Sequence, residues 1–297
     1  MFHEEYTALC NAGVAKNNLL KKNPLGYFIS SMVAGMFISF GSMVAFVLGQ
    51  SMDGNGAAAA VKLIQSVAFA SALSLVVMAG AELFTGNNLV MAAASLRKKV
   101  SWADTVKLWC VCWIGNLIAS LLCVVVFQLT GLPTAGDGAI ADYFIKISSA
   151  KVGLGVGQIL VRAILCNILV CLAVWCGTKM KTESGKLIMI FWCILIFMTC
   201  GFEHSIADMS IIGIGVANGG ITVGQYLYTV LLATVGNIIG GAVFVAVPPV
   251  GAEFKFQDDA CGNAHGEVDC QRVFARNGLR ASRTACWCGS SMFRRCP

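Results

Sequence analysis

The chain of 297 residues is 57% apolar and only 12% charged, with a formal net charge of +6. A soluble domain carries about 25% charged residues, so the excess apolar surface must face lipid or line a membrane-embedded interior. The positive charge does not indicate a partner nucleic acid, because the basic residues form short clusters between apolar runs and no DNA- or RNA-binding motif is present. We therefore predict an all-α integral membrane protein in a lipid bilayer.

Six apolar stretches are candidates for membrane-spanning helices, each of which needs about 20 residues. The stretches that satisfy this length in whole or in part are 25–49, 59–96, 103–130, 155–177, 186–214 and 222–248. Residues 1–24 precede them as an N-terminal segment predicted to be amphipathic. Pro24 is suited to the first turn of a helix, where its missing N–H does no harm. Residues 25–248 are therefore predicted to form one transmembrane domain.

The second and fifth stretches are interrupted by polar residues. The interruptions read Ala81-Glu82-Leu83-Phe84-Thr85-Gly86-Asn87-Asn88 and Gly201-Phe202-Glu203-His204-Ser205. Non-helical backbone at membrane depth is tolerated only where it is buried in protein or lines a water-filled cavity. We predict that helices 2 and 5 are broken; a single kinked helix with an odd polar residue is the alternative.

The two interruptions occupy matched positions in the two halves of the chain. Each lies in the second helix of its half, and the third and sixth helices carry Gly115-Asn116 and Gly236-Asn237. The pattern predicts two three-helix repeats, and the odd number of spans makes the second repeat inverted relative to the first. Broken helices at matched positions in inverted repeats indicate a substrate site near the bilayer midplane.

The orientation follows from the basic residues in short loops. The clusters at 16–22, 97–99 and 179–186 fall on one side of a six-span arrangement, whereas the loops at 50–58, 131–154 and 215–221 carry only Lys146 and Lys151. Because Lys and Arg are enriched in cytoplasmic loops, both termini are predicted to be cytoplasmic. We expect a multi-pass protein of the cell inner (plasma) membrane.

Residues 249–297 differ from the rest of the chain. They are polar and basic and contain five of the fourteen cysteines, and the dipeptide Pro248-Pro249 ends the sixth helix before them. For this segment a non-native end, a disordered cytoplasmic tail and a metal-binding tail are the alternatives, and it is not predicted to be part of the membrane domain. The other cysteines lie mostly in apolar helices and are interpreted as core. No metal site and no cofactor are expected.

His204 is the strongest candidate for function, because an ionisable residue inside a membrane stretch marks a functional site by default. Its unperturbed pKa of about 6.5 allows proton exchange at physiological pH; a purely structural histidine is the alternative. Glu82 and Glu203 are interpreted as structural groups at the two helix breaks. Thr85 and Asn167 offer hydrogen bonds to a small anion, although Asn167 is also suited to an interhelical tie.

Three further residues allow two interpretations each. Lys151, just before the fourth span, either draws anions to a vestibule or is an interfacial lysine. Phe69 and Leu73 lie one helical turn apart and are either core residues or part of an apolar constriction.

Five separated motifs resemble the formate/nitrite transporter family over about residues 8–247. They are Asn23-Pro24-Leu25-Gly26, Glu82-Leu83-Phe84-Thr85-Gly86, the run from Cys166 to Trp175, the run from Gly201 to Ala207, and the run from Gly236 to Gly241. The resemblance implies an aquaporin-like six-helix fold and a homopentamer with one pore in each protomer. It implies transport of small monovalent anions (nitrite, formate or hydrosulfide), with protons as partners, and the second motif leans toward nitrite or hydrosulfide.

The resemblance also implies residue roles. Phe69, Val170 and Phe197 would form an outer constriction, and Leu73 and Leu83 would help to form an inner one. Phe84 also belongs to the constriction residues. Thr85, Lys151, Asn167 and His204 would handle the anion, and Asn116 and Asn237 would hold the helix breaks. One departure is Asp208, four residues after His204, where the family usually has Asn; a carboxylate there would repel an anion or raise the pKa of His204.

Two other function classes make different predictions. A neutral-solute channel of the aquaporin type requires Asn-Pro-Ala motifs in both half-helices, and neither interruption contains one. A membrane enzyme requires a nucleophile or metal ligands near His204, and none is suitably spaced. We therefore expect a channel or transporter and not an enzyme.

Overall fold

The computed structural model describes residues 3–54 and 58–248, and in this part of the chain all regular secondary structure is helical. The α-helices are α1 (His3–Lys22), α2 (Pro24–Met52), α3 (Ala58–Met78), α4 (Phe84–Leu96), α5 (Trp102–Leu129), α6 (Ala139–Val152), α7 (Val156–Lys179), α8 (Glu183–Cys200), α9 (Ser205–Ala217) and α10 (Val223–Ile239). Two 3-10 turns, Leu132–Thr134 and Gly136–Gly138, precede α6, and a π-helical turn, Gly240–Val245, extends α10. The predictions for 249–297 lie outside the described residues.

Six helices are long and apolar enough to cross a membrane: α2, α3, α5, α7, α8, and α10 with its π-helical turn. The predicted all-helical architecture with six spans is therefore confirmed. These helices expose large apolar side chains, among them Leu129 (81% exposed) and Val126 (60% exposed), while polar side chains such as Asn116 and Asn237 are fully buried. Apolar residues outside and polar residues inside suit a protein whose solvent is lipid.

The ends of several helices are set by local hydrogen bonds. Asn23 caps α2, because its side chain accepts a hydrogen bond from the Gly26 N–H at 2.9 Å, and Pro24 occupies the first turn. Thr222 and Gln225 form a reciprocal capping box at the start of α10. Such caps satisfy backbone N–H groups that a helix cannot pair internally.

Helices α2 and α7 each have two principal neighbours. The most extensive contacts of α2 are with α3 and α5, those of α7 are with α10 and α8, and α3 also contacts α8. A Cβ atom at Gly236 would lie 2.6 Å from the Cβ atom of Ala163 in α7, and one at Gly35 of α2 would overlap the backbone of Asn116 in α5. Glycine therefore permits these close helix crossings, as is usual between membrane helices.

The connection predicted between the third and fourth spans, at 131–154, contains helix α6, which the sequence analysis did not predict. The 14-residue helix is too short and polar to resemble a span, but Ala141, Phe144 and Ser148 recur at helical spacing and are buried. The N-terminal segment is also a continuous helix, α1, which packs against α4. Its Tyr6 is buried and donates a hydrogen bond to the Ala246 carbonyl at 3.3 Å.

Candidate functional site

The chain leaves helical conformation between α3 and α4, and Asn116 of α5 pairs with the exposed backbone there. The side-chain oxygen of Asn116 accepts a hydrogen bond from the Phe84 N–H at 3.0 Å. Its Nδ2 donates to the carbonyls of Glu82 at 3.1 Å and Ser31 at 2.6 Å. Asn116 thus satisfies backbone groups at the start of α4 that lipid could not.

The segment between α8 and α9 makes the same set of contacts. Helix α8 ends at Cys200 and is capped by Gly201, whose φ of +70° suits a residue without a Cβ atom. The side-chain oxygen of Asn237 accepts a hydrogen bond from the Ser205 N–H at 2.9 Å. Its Nδ2 donates to the carbonyls of Glu203 at 3.1 Å and Ala163 at 2.8 Å. Both segments are therefore fixed by one buried asparagine from the following long helix.

Each segment also carries a buried glutamate paired with a lysine. In the Lys16 cluster (Lys16, Glu82 and Asn87), Glu82 accepts hydrogen bonds from the Lys16 ammonium at 2.6 Å and from the Asn87 amide at 2.9 Å. The same amide nitrogen of Asn87 lies 3.0 Å from the hydroxyl of Tyr27. Lys16 comes from α1, so the N-terminal helix supplies a charge to this site.

The corresponding Lys151 cluster (Lys151, Glu203 and Asp208) has a second carboxylate. The Lys151 ammonium lies 2.7 Å from Glu203 Oε2 and 2.9 Å from Asp208 Oδ1. Burial by itself lowers the pKa of a lysine, but the charges of Asp208 and Glu203 outweigh this effect, so the pKa of Lys151 is raised. Lys151 therefore stays an ammonium ion, and its charge is shared between two carboxylates.

His204 sits at the start of α9 and bonds through both ring nitrogens. Nδ1 accepts a hydrogen bond from the Ala207 N–H at 3.1 Å, which makes His204 the N-cap of α9. Nε2 lies 3.1 Å from the Thr85 hydroxyl. Because Nδ1 is an acceptor, the proton of a neutral ring is on Nε2, which donates to Thr85. The hydroxyl hydrogen of Thr85 is then available to another acceptor.

The predicted constriction residues are all buried, with at most 3% of any side chain exposed. They are Phe69, Leu73, Leu83, Phe84, Val170 and Phe197. The structure brings together Phe69 and Phe197, whose rings meet edge to face with centroids 5.9 Å apart. The Phe197 ring in turn stacks on His204 at 5.9 Å with an interplanar angle of 15°. Aromatic side chains therefore cover one side of the His204–Thr85 pair.

Asn167 occupies the position of an interhelical tie, the second of its two predicted roles. Its Nδ2 donates to the Asn88 side-chain oxygen at 3.0 Å and to the Asn237 carbonyl at 2.6 Å. Both amide hydrogens are thereby used. The Nδ2 of Asn88, by contrast, is buried and has no hydrogen-bond partner among the described residues.

Asn88 is a buried donor of the site that the sequence did not single out. It lies in the first turns of α4, one helical turn after Thr85, so the two side chains share a helix face. Asn88 lies in the polar interruption, which marks it as a candidate site residue, but nothing in the sequence distinguishes it from Asn87 or Asn167. Across 3–54 and 58–248, no cluster of three or more His, Cys, Asp or Glu side chains is arranged to hold a metal ion.

These features define a class of protein: a multi-pass helical membrane protein whose buried polar groups gather where α3 and α8 end. A sequence model of the family described as formate/nitrite transporter matches residues 3–251. The probable formate transporter of Methanothermobacter thermautotrophicus is 36% identical over 244 residues, which cover 77% of this chain and 89% of that protein. The nitrite transporter NirC of Escherichia coli is 32% identical over 275 residues, which cover 85% and 97%.

Two solved structures have the same fold. An ion channel of the FNT family aligns with a TM-score of 0.78 and 26% identity, over 84% of this chain and 99% of that one. A pentameric formate channel with formate bound aligns with a TM-score of 0.67 and 26% identity, over 80% and 98%. The chain therefore belongs to the formate/nitrite transporter family, and the predicted resemblance is confirmed. The aquaporin-type alternative is not favoured, because these matches are to a different transporter family.

Proposed function

We propose that the protein is a channel that carries small monovalent anions, with nitrite, formate and hydrosulfide as candidate substrates. The observation that supports this most directly is the buried His204–Thr85 pair, which offers hydrogen-bond donors beside the Phe69–Phe197 contact. The names of the relatives, a formate transporter and a nitrite transporter, agree with this substrate class.

We also propose the architecture that the sequence predicts. The segments α3–α4 and α8–α9 are the two broken spans, and the chain consists of two inverted, aquaporin-like three-helix repeats. The matching contacts of Asn116 and Asn237 support this arrangement. A homopentamer is supported by the pentameric formate channel that shares the fold. The protein lies in the plasma membrane with both termini in the cytoplasm.

The energetic problem for the channel is the loss of water from the anion. An anion without partners in an apolar interior is very costly, so buried donors must replace its hydration shell. The Thr85 hydroxyl and the Nδ2 of Asn88 are two such donors. Asn167 supports the site indirectly, because it holds the side-chain oxygen of Asn88 and leaves the Nδ2 of Asn88 unpaired.

Positive charge near the pathway has two separate roles. Lys151 cancels carboxylate charge beside the site, since its ammonium is shared by Glu203 and Asp208. Without that cancellation the carboxylates would repel an approaching anion. Arg162 of α7 lies at the end of α8, where its guanidinium is 3.5 Å from the Gly201 carbonyl. We propose that Arg162 attracts the anion by its long-range field.

Proton transfer to the bound anion makes a neutral weak acid, which crosses the apolar constrictions formed by the phenylalanine and leucine side chains more easily than the anion does. His204 is the proposed donor, through Nε2 and the Thr85 hydroxyl. Taking up a second ring proton would break the bond from Nδ1 to the Ala207 N–H. Protonation of His204 therefore competes with capping of α9, and flux should depend on pH.

The test is flux of formate, nitrite and hydrosulfide into proteoliposomes across a pH range. His204→Ala is expected to reduce flux of the transported anion at least tenfold and to flatten its pH dependence. Trp102→Ala is a control, because this exposed side chain lies at the start of α5. Unchanged pH dependence in His204→Ala would rule out the proton role, and no flux of any of the three anions through the wild type would rule out the proposed function.

A further inference from the structure

The two lysine–glutamate clusters differ in one residue. Asn87 follows Glu82 by five positions and Asp208 follows Glu203 by five positions. In the Lys16 cluster the Asn87 amide donates to the Glu82 carboxylate at 2.9 Å, so one ammonium faces one carboxylate and the charges balance. A carboxylate at the equivalent position of the Lys151 cluster leaves two negative groups facing one positive group.

This charge imbalance is buried. The side chains of Asp208 and Glu203 are 0% and 2% exposed, and that of Lys151 is 16% exposed. Lys151 is 2.9 Å from Asp208 Oδ1, yet neither carboxylate oxygen of Asp208 has a hydrogen bond of acceptable geometry among the described residues. Two buried carboxylates that share one ammonium ion leave one negative charge without a counter-charge, which is strongly disfavoured, and a proton is the simplest group that removes it.

Among the described residues, the two other cations near this segment are Arg162 and Lys62, which lie beside Gly201. Neither forms an ion pair with Glu203 or Asp208, whose ion-pair partner is Lys151. Cys166 of α7 and Tyr226 of α10 lie close enough to interact electrostatically with Asp208, but each is uncharged in its usual state. His204 lies close enough to interact electrostatically with Lys151, and a ring whose Nδ1 accepts the Ala207 N–H carries no positive charge. The helix dipole places about half a positive charge at the N-terminus of α9, beside Glu203 and Asp208. The N-terminus of α4 places the same charge beside Glu82, so the helix dipole does not distinguish the two clusters. The extra carboxylate is therefore the difference between the clusters.

We infer that the Lys151 cluster is a proton-binding site, in which Glu203 and Asp208 hold one proton between them at neutral pH. The proton comes from water and forms an O–H bond on one carboxyl oxygen, while Lys151 remains an ammonium ion. With one proton bound, one negative charge faces the one positive charge of Lys151. The inference goes beyond the proposed function, since it concerns resting protonation and does not depend on which solute crosses.

Infrared spectroscopy of the full chain in lipid tests this directly. A protonated carboxyl has a carbonyl stretch that is separate from the carboxylate bands and shifts in heavy water. We expect the wild type to show this band at neutral pH and Asp208→Asn to lose it. Asp53→Asn is the matched control, because Asp53 is an exposed aspartate 2.7 Å from a lysine, Lys146. That substitution should leave the band unchanged.

Two results would overturn the inference: absence of the band from the wild type at neutral pH, or its full retention in Asp208→Asn. If Asp208→Asn does not fold, Glu203→Gln replaces it as the variant. Isotopic labelling of aspartate carboxyls in the wild type is then combined with that variant, because an unshifted band in the labelled wild type and no loss of the band in Glu203→Gln would together assign the proton elsewhere. The measurement involves no flux, so its failure and the failure of anion transport are separate results.

Discussion

The substitution Asn237→Ala removes the side chain that holds the segment between α8 and α9. Asn237 is fully buried and pairs with the Ser205 N–H at 2.9 Å and with the carbonyls of Ala163 at 2.8 Å and Glu203 at 3.1 Å. Alanine cannot replace these bonds, and water has no access to a side chain at 0% exposure. The backbone groups would then be left unpaired in the protein interior.

The magnitude follows from the groups that lose their partners. Ala163 lies inside α7, so its carbonyl has a helical partner as well. The Ser205 N–H and the Glu203 carbonyl carry most of the loss, and each buried unpaired group costs about 1–3 kcal/mol. Asn237→Ala should therefore lower the free energy of unfolding by about 2–6 kcal/mol.

The assay is unfolding in mixed micelles with increasing denaturing detergent, followed by helical circular dichroism. Asn116→Ala should behave alike, because Asn116 makes the same three types of contact. The control is Asn11→Ala, since the side-chain oxygen of exposed Asn11 only accepts a hydrogen bond from Lys99 at 2.9 Å. The reasoning fails if Asn237→Ala unfolds within about 0.5 kcal/mol of that control.

Two further substitutions test helix packing and charge balance. Gly236→Leu should abolish the folded peak in size-exclusion chromatography, because even a Cβ atom at this position would lie 2.6 Å from the Cβ atom of Ala163 in α7. The control is Gly157→Leu, which should fold normally because a Cβ atom there meets open space. Equal yields of the two folded variants would refute the packing argument. Lys151→Met should lower the free energy of unfolding by about 3–5 kcal/mol, and adding Asp208→Asn should recover part of it. The pKa of Lys151 is raised, so its contribution is complete below the ordinary lysine pKa and is lost only as the pH rises through the folded value. Lys151 should therefore be fully charged from about pH 6 to pH 9, and the absence of any Lys151→Met deficit in that range would contradict the charge-balance argument.

Much of the fold can be predicted from local sequence, but helix α6 could not be predicted in this way. Membrane spans are predictable because each depends on the summed hydrophobicity of one segment. Helix α6 lacks that signal, as its 14 residues include Asp142, Lys146 and Lys151. The helix is stabilised by tertiary packing, because its Phe144 contacts Phe46 and Phe127, which belong to α2 and α5.

The candidate site was predictable in composition but not in pairing. The interruptions identify Thr85, Glu82, Glu203 and His204 as buried polar residues, and the structure places Thr85 against His204. The sequence alone left the role of Asn167 open between a tie and a donor. The contact of its amide with Asn88 and with the Asn237 carbonyl favours the tie.

The clearest division concerns charge. Sequence alone determined membrane insertion, the number of spans and the presence of ionisable residues inside them, because these depend on the residue types in each segment. It also identified Asp208 as unusual, but only as a neighbour of His204. Tertiary structure decided that Asp208 meets Lys151 at 2.9 Å beside Glu203, since the lysine comes from α6, more than fifty residues earlier. The charge of a buried group depends on such partners, which helix packing alone brings together.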